Sequence, residues 1–102
     1  MIKIVLVCAG GMSSSMLAKN MEKAAEERGL ELKIWAIGEH EAITKVDDAQ
    51  IILLGPQVQY RLSAVQKQFP SLPVAMIDMQ DYGMMNGKET LEKALQFIRS
   101  HQ

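Results

Sequence analysis

A chain of 102 residues, 48% of them hydrophobic, suits one domain spanning residues 1–102 with a single core. Eleven basic against twelve acidic residues give a net charge of −1 with no basic stripe, which argues against a nucleic-acid partner. One cysteine excludes an internal disulfide and a four-cysteine zinc site, and His40 and His101 alone do not make a metal centre, so no metal and no other cofactor is expected.

Apolar runs and helical patterns alternate along the chain. Ile2 to Val7 is almost continuously hydrophobic, as a strand covered on both faces requires. Cys8-Ala9-Gly10-Gly11-Met12-Ser13-Ser14-Ser15 then forms a glycine-serine turn. A helix is predicted from Ser13 to Arg28, with Met16, Leu17, Met21, Ala24 and Ala25 as its apolar stripe and Gly29 as its C-cap. Leu32 to Ile37 reads as the second strand, and a short helix is placed over Glu39 to Lys45. The third strand, Ala49 to Leu54, stops at Gly55-Pro56. A single helix over Val58 to Phe69 carries Val58, Leu62, Val65 and Phe69 on one side. Pro70 and Pro73 bracket the turn into the fourth strand, Val74 to Ile77, and Asp78 to Gly83 follows as a loop. Asn86 or Gly87 caps the last helix, whose inner face is Leu91, Ala94, Leu95 and Ile98.

This alternation implies an α/β fold: a small four-stranded parallel sheet, order 2-1-3-4, with right-handed crossovers and helices on both faces, of flavodoxin-like or low-molecular-weight tyrosine phosphatase-like shape. Ligands bind such sheets outside the strand C-termini at the switch point, here between strands one and three. That places the Cys8 loop beside Gly55-Pro56-Gln57, with the loop Asp78 to Gly83 bordering the same end. The longest apolar runs, Ile4 to Val7 and Ile51 to Leu54, are far too short to cross a bilayer, and the N-terminus lacks signal-peptide architecture. Direct membrane insertion is therefore not expected. A lone thiol makes the cytoplasm the default compartment.

Cys8 stands where a strand runs into a loop that opens a helix. Backbone N–H groups at such a junction point into the loop, and the helix dipole adds partial positive charge. The same environment favours a thiolate, the nucleophilic form of cysteine. Gly10 and Gly11 let backbone approach an anion closely, and Ser13, Ser14 and Ser15 offer caps and hydroxyl donors. The combination equips the loop for covalent phosphoryl chemistry at an exposed sulfur. The plain alternative is a small buried residue followed by a glycine turn and serine caps. Small tyrosine phosphatases place an arginine six positions after their cysteine, where it clamps the phosphoryl group. Here that position is Ser14, so a phosphocysteine should hydrolyse slowly and persist for a partner.

Asp78 and Asp81 stand where a phosphatase acid would lie, and are read first as turn or cap residues. Gln57, Gln59 and Tyr60 either supply hydrogen bonds at the rim or simply open a helix after Pro56. His40 reads as a solvated surface residue and His101 as part of a frayed tail. Met16, Met21 and Met76 are assigned to the core. Met12, Met84 and Met85 either ring the thiol as a soft docking surface or pack inward. Rival readings are a phosphatase-like hydrolase, which lacks its arginine here, and a nucleotide- or flavin-binding module, for which 5% aromatic residues leave few rings. Receiver-type aspartate phosphorylation lacks the acidic pair at the end of strand one.

With these residues in view, the chain resembles the IIB component of the bacterial sugar phosphotransferase system, lactose/cellobiose (N,N′-diacetylchitobiose) family. The resemblance rests on Ile4 through Ser15, on Ile52-Leu53-Leu54-Gly55-Pro56-Gln57, and on Val74 to Asp78 followed by Tyr82-Gly83. It implies a cytoplasmic phosphocarrier. A cysteine matching Cys8 takes a phosphoryl group from a phosphohistidine of the IIA protein and passes it to a β-linked disaccharide bound by the membrane-embedded IIC component. Residues Ala9 to Ser15 would hold the phosphate, with Gly55, Pro56, Gln57, Asp78 and Tyr82 as a candidate rim.

Overall fold

The computed structural model describes residues 1–9, 12–39 and 48–101, except that the side chains of residues 12–14 are not described. The helix expected over Glu39 to Lys45 therefore lies almost wholly outside the described residues, as does His40. Four strands form one parallel sheet: β1 (Ile2–Cys8), β2 (Leu32–Gly38), β3 (Ile51–Leu54) and β4 (Val74–Met76). Their order is β2-β1-β3-β4, as the strand–helix alternation predicts. The register pairs Ile4 with Ile34 on one side and Ile51 on the other, so β1 is central and bonded along both edges.

Alternation along the strands feeds two cores. Ile4 and Leu6 of β1, Ile34 of β2 and Leu53 of β3 face one way, against α1 (Met12–Glu27) and α4 (Gly87–Ser100). Val5, Val7, Ile37, Ile52 and Leu54 face the other way, against Val58 and Val65. Every residue from Ile4 to Val7 and from Ile51 to Leu54 is nearly or wholly buried, which explains why these runs carry no polar positions. Each fully buried aliphatic chain of this kind contributes about 1.5–3 kcal/mol relative to exposure.

Several boundaries depart from the sequence reading. The helix expected over Val58 to Phe69 is two pieces: a 3₁₀ turn, Pro56–Arg61, and α2 (Leu62–Gln68). Pro56 starts a tight turn in which Val58 N–H donates to the Gly55 carbonyl at 3.0 Å, and Val58 itself has non-helical dihedrals. The apolar spacing survives the break: Val58 and Val65 are buried, with Leu62 and Phe69 packed beside them. The expected loop after β4 contains a one-turn helix, α3 (Met79–Gly83). Asn86 is the N-cap of α4, its side chain accepting from Glu89 N–H at 3.0 Å, and Leu91, Ala94, Leu95 and Ile98 are all buried as predicted. Gly29 ends α1 at φ +68°, the left-handed conformation a C-cap glycine supplies.

Two methionine assignments are corrected. Met21 is fully buried, but Met16 is 58% exposed and Met76 38% exposed. At 3.6 residues per turn Met16 sits roughly 140° round α1 from the centre of the stripe made by Leu17, Ala18, Met21, Ala24 and Ala25. Met76 ends the edge strand, on the face that the short α2 covers only in part. His101 is not a frayed tail residue: its ring packs on Phe97 with centroids 4.4 Å apart, and Nδ1 lies 2.9 Å from the Phe97 carbonyl oxygen.

Candidate functional site at the carboxyl ends of the central strands

The ends of β2, β1 and β3 are fastened to one another around Cys8. Gly38 is the register partner of Cys8, and Glu39 N–H donates to the Cys8 carbonyl at 2.7 Å. On the other side Gly55 N–H donates to the Val7 carbonyl at 2.9 Å. The cysteine therefore stands at the topological switch point, with the turns that follow β2 and β3 on either hand and α1 starting four residues later.

Alternation puts the Cys8 side chain on the same side as Ile4 and Leu6, the face that α1 covers. Its sulfur donates weakly to the Ile37 carbonyl at 3.6 Å, and the residue is 1% exposed. This differs from the exposed thiol expected from the sequence. The physical reason lies in the strand: β1 extends one residue further than predicted, so Cys8 is its last ladder residue rather than the first residue of the loop. Ala9 is exposed directly after it. The glycines expected to cradle an anion, Gly10 and Gly11, lie outside the described residues, as do the side chains of Met12, Ser13 and Ser14; Ser15 is exposed on the first turn of α1.

Most of the candidate rim does gather beside β1. Gly55 is buried with extended dihedrals, and a β-carbon there would lie 3.0 Å from Gln57 Oε1, 3.5 Å from the ring of Tyr82 and 3.5 Å from the Val7 carbonyl oxygen. Pro56, Gln57, Tyr82 and Gly83 line one hollow of about 360 Å³ together with Met79. Gly55, Pro56, Gln57 and Tyr82 thus form one surface around the switch point. Met79, 70% exposed in that hollow, was missed in the sequence, where nothing separated it from the neighbouring methionines.

Asp78 does not belong to this rim. Its carboxylate accepts from the N–H groups of Gln80 at 2.9 Å and Asp81 at 3.2 Å, so it is the cap of α3. It follows β4, which β3 separates from β1, a displacement of about two strand spacings, or roughly 10 Å. Asp81 is buried and paired with Lys93 at 2.7 Å. Asp78 is thus engaged as a helix cap and Asp81 as the partner of Lys93. Met84 and Met85 likewise sit away from Cys8, in a hollow with Asn20, Lys23 and Ala24 of α1. Asn20 lies about 12 Å along the helix from its first residue. Met84 is exposed and Met85 is half-buried against the core.

Tyr60 forms a contact that sequence reasoning left open. Its hydroxyl donates to the Glu39 carboxylate, joining the turn after β3 to the end of β2 across the end of β1. That hydrogen bond is the main cause holding the Tyr60 hydroxyl above the ordinary tyrosine range, with burial and the Glu39 charge adding to it and Arg61 opposing. Glu39 gave no signal in the sequence beyond opening a polar stretch. Among the described residues no group of three histidine, cysteine or carboxylate side chains is placed to hold a metal ion.

Comparison with known proteins adds a second line. Residues 3–93 match the family model described as PTS system, Lactose/Cellobiose specific IIB subunit. The chain is 39% identical over 100 residues to the oligo-beta-mannoside-specific EIIB component of the PTS system of Bacillus subtilis, covering 96% of this chain and 97% of that protein. It is 29% identical to the lactose-specific EIICB component of Staphylococcus haemolyticus, covering 94% of this chain but 16% of that longer protein. Among solved structures it superposes on the cellobiose-specific phosphotransferase IIB component of Borrelia burgdorferi with a TM-score of 0.80 at 33% identity, over 99% of this chain and 94% of that one.

Proposed function

Since this chain belongs to the lactose/cellobiose-specific IIB family and is thereby a component of a sugar phosphotransferase system, we propose that Cys8 is its phosphoryl carrier. The observation that carries this reading is position. The chain's one cysteine ends the central strand at the switch point, immediately ahead of the 16-residue helix α1. Residues Ala9 to Ser15, which run from the strand end into the first turn of α1, would hold the phosphate through their amides, aided by the helix dipole. Gly55, Pro56, Gln57 and Tyr82 border the same end.

In the first step the Cys8 sulfur attacks phosphorus of a phosphohistidine on a IIA protein. The S–P bond forms, the N–P bond breaks, and the thiol proton leaves with the imidazole. In the second step a hydroxyl of a β-linked disaccharide of the cellobiose, lactose or chitobiose class, held by a membrane-embedded IIC component, attacks the same phosphorus. The O–P bond forms, the S–P bond breaks, and the hydroxyl proton passes to the departing sulfur, which regenerates the Cys8 thiol. The EIICB relative supports IIC as the acceptor side. In this reading the carrier is cytoplasmic and meets the bilayer only through IIC; among the described residues no helix is long and apolar enough to cross a membrane. Ser14 in place of a clamping arginine supports transfer over hydrolysis. Because Cys8 is buried, both steps require the sulfur to be uncovered at the moment of attack.

The test is intact mass after incubation with a phosphorylated IIA donor. The wild-type chain gains one phosphoryl group that maps to Cys8 and Cys8→Ser gains none. A phosphoryl group mapped to any other residue, or equal gain in Cys8→Ser, ends the proposal.

A further inference from the structure

β4 is the edge of the sheet on the side away from β2. Its register, Ile52 with Val74 and Leu54 with Met76, turns the amide and carbonyl of Ala75 toward β3. The flanking bonds agree: Ile52 N–H donates to the Pro73 carbonyl at 3.0 Å and Ile77 N–H to the Leu54 carbonyl at 2.8 Å. The same alternation turns the N–H and C=O groups of Val74 and Met76 outward, where no described residue bonds them.

This edge lies in a trench. A cleft of about 430 Å³ follows it, with Leu53 and Ile77 from one face of the sheet, Leu62 from α2, and Ala94 and Phe97 from α4. A second cleft of about 340 Å³ continues past Pro73 to His101 and shares Gln66, Val74 and Phe97 with the first. The trench thus tracks the chain from Pro73 to Asp78, roughly 17 Å at the rise of a strand. Its walls are the two helical layers that cover the opposite faces of the sheet, so it occupies the place of a next strand.

We infer that this trench docks one extended, apolar-rich polypeptide segment bearing a basic residue, which adds to β4 as a fifth strand. The outward amides and carbonyls of Val74 and Met76 supply its ladder. At the Asp78 end the two carboxylates of Asp78 and Asp81 face the single ammonium of Lys93, so the local charge is negative and complements a lysine or arginine. A second copy of the chain does not fit. Its own β4 lies equally deep between its own α2 and α4, and the two edges could not approach to a strand spacing of about 4.8 Å. The inference stands on the sheet edge alone and is independent of the chemistry at Cys8.

The test selects a displayed random heptapeptide library against the full chain and titrates each enriched peptide into isotope-labelled protein. Amide shifts should be confined to α2, β4 and the stretch from Thr90 to Phe97, and exchange of the Val74 and Met76 amides should slow at least about tenfold at saturation. Methylating alternate backbone nitrogens of the peptide should weaken binding by about tenfold or more. Absence of any enriched sequence, shifts elsewhere, indifference to N-methylation, or a self-associated chain that the peptide disperses would each overturn the inference.

Discussion

A methyl group on Gly87 would lie 2.3 Å from the backbone carbonyl carbon of Asn20. The first residue of α4 is therefore pressed against the backbone of α1, and the Asn20 side chain clasps the same turn by donating to the Met85 carbonyl at 2.9 Å. No rotamer change relieves a contact between backbone and a β-carbon, so Gly87→Ala must pry α4 from α1. Its cost should be about 3 kcal/mol, the upper end of overpacking. Gly83, with nothing within 4 Å of its β-carbon position, is the control: Gly83→Ala should stay within about 0.5 kcal/mol of wild type. Urea denaturation followed by Trp35 fluorescence measures both.

Ionisation of Lys93 offers a second prediction. Its hydrogen bond to Asp81 holds it above the ordinary lysine value; burial opposes, and the charges of Asp81, Asp78 and Glu89 reinforce the rise. A group raised in the folded state stabilises fully below its unfolded value, about 10.4, and loses that contribution as pH climbs through the raised one. Lys93→Met should therefore lower the urea midpoint at neutral pH, with the gap to wild type closing only above about pH 10.4. Parallel melts of the two proteins across that range would show it.

How much of this was legible beforehand depends on how each signal is encoded. Ile4 to Val7 and Ile51 to Leu54 announce buried strands because a two-sided parallel sheet tolerates no polar residue there. The rim of Gly55, Pro56, Gln57 and Tyr82 followed from strand order. The exclusion of Asp78 did not: a capping aspartate and a catalytic one look alike until the N–H groups of Gln80 and Asp81 are seen bonding it. The break at Val58 was hidden because the apolar residues keep helical spacing while the backbone does not. Burial of Cys8 was hidden by a single residue of strand length.

Tyr60 should ionise above the ordinary tyrosine value of about 10, because the Glu39 carboxylate accepts its proton in a hydrogen bond. Glu39→Gln leaves an acceptor but removes the negative charge, so the transition should move down toward that value. The bond's contribution is present below the ordinary value and disappears as pH rises through the raised one. The ring carbon bearing the hydroxyl, titrated by NMR, reports it directly, and an unchanged midpoint in Glu39→Gln would refute the pairing.

Cys8 itself predicts slow thiol chemistry in the folded chain. At 1% exposure its reaction with an aromatic disulfide reagent should be many-fold slower than in urea. Cys8→Ser preserves the donor to Ile37 and should cost no more than about 2 kcal/mol, so the loss of phosphoryl acceptance that the proposed role of Cys8 expects of this variant would not be due to unfolding. Circular dichroism and the urea midpoint of the variant provide the check.

The packing of α4 on α1 has a consequence for biosynthesis. The sheet face carrying Ile4 and Leu6 stays greasy and half-roofed until Leu91, Ala94, Leu95 and Ile98 arrive, and those residues follow all four strands in the chain. A ribosome must release α4 before that half of the interior can close. A nascent chain stalled before Gly87 would therefore present a sticky flank to chaperones, and early termination there should yield insoluble protein rather than a shorter folded domain.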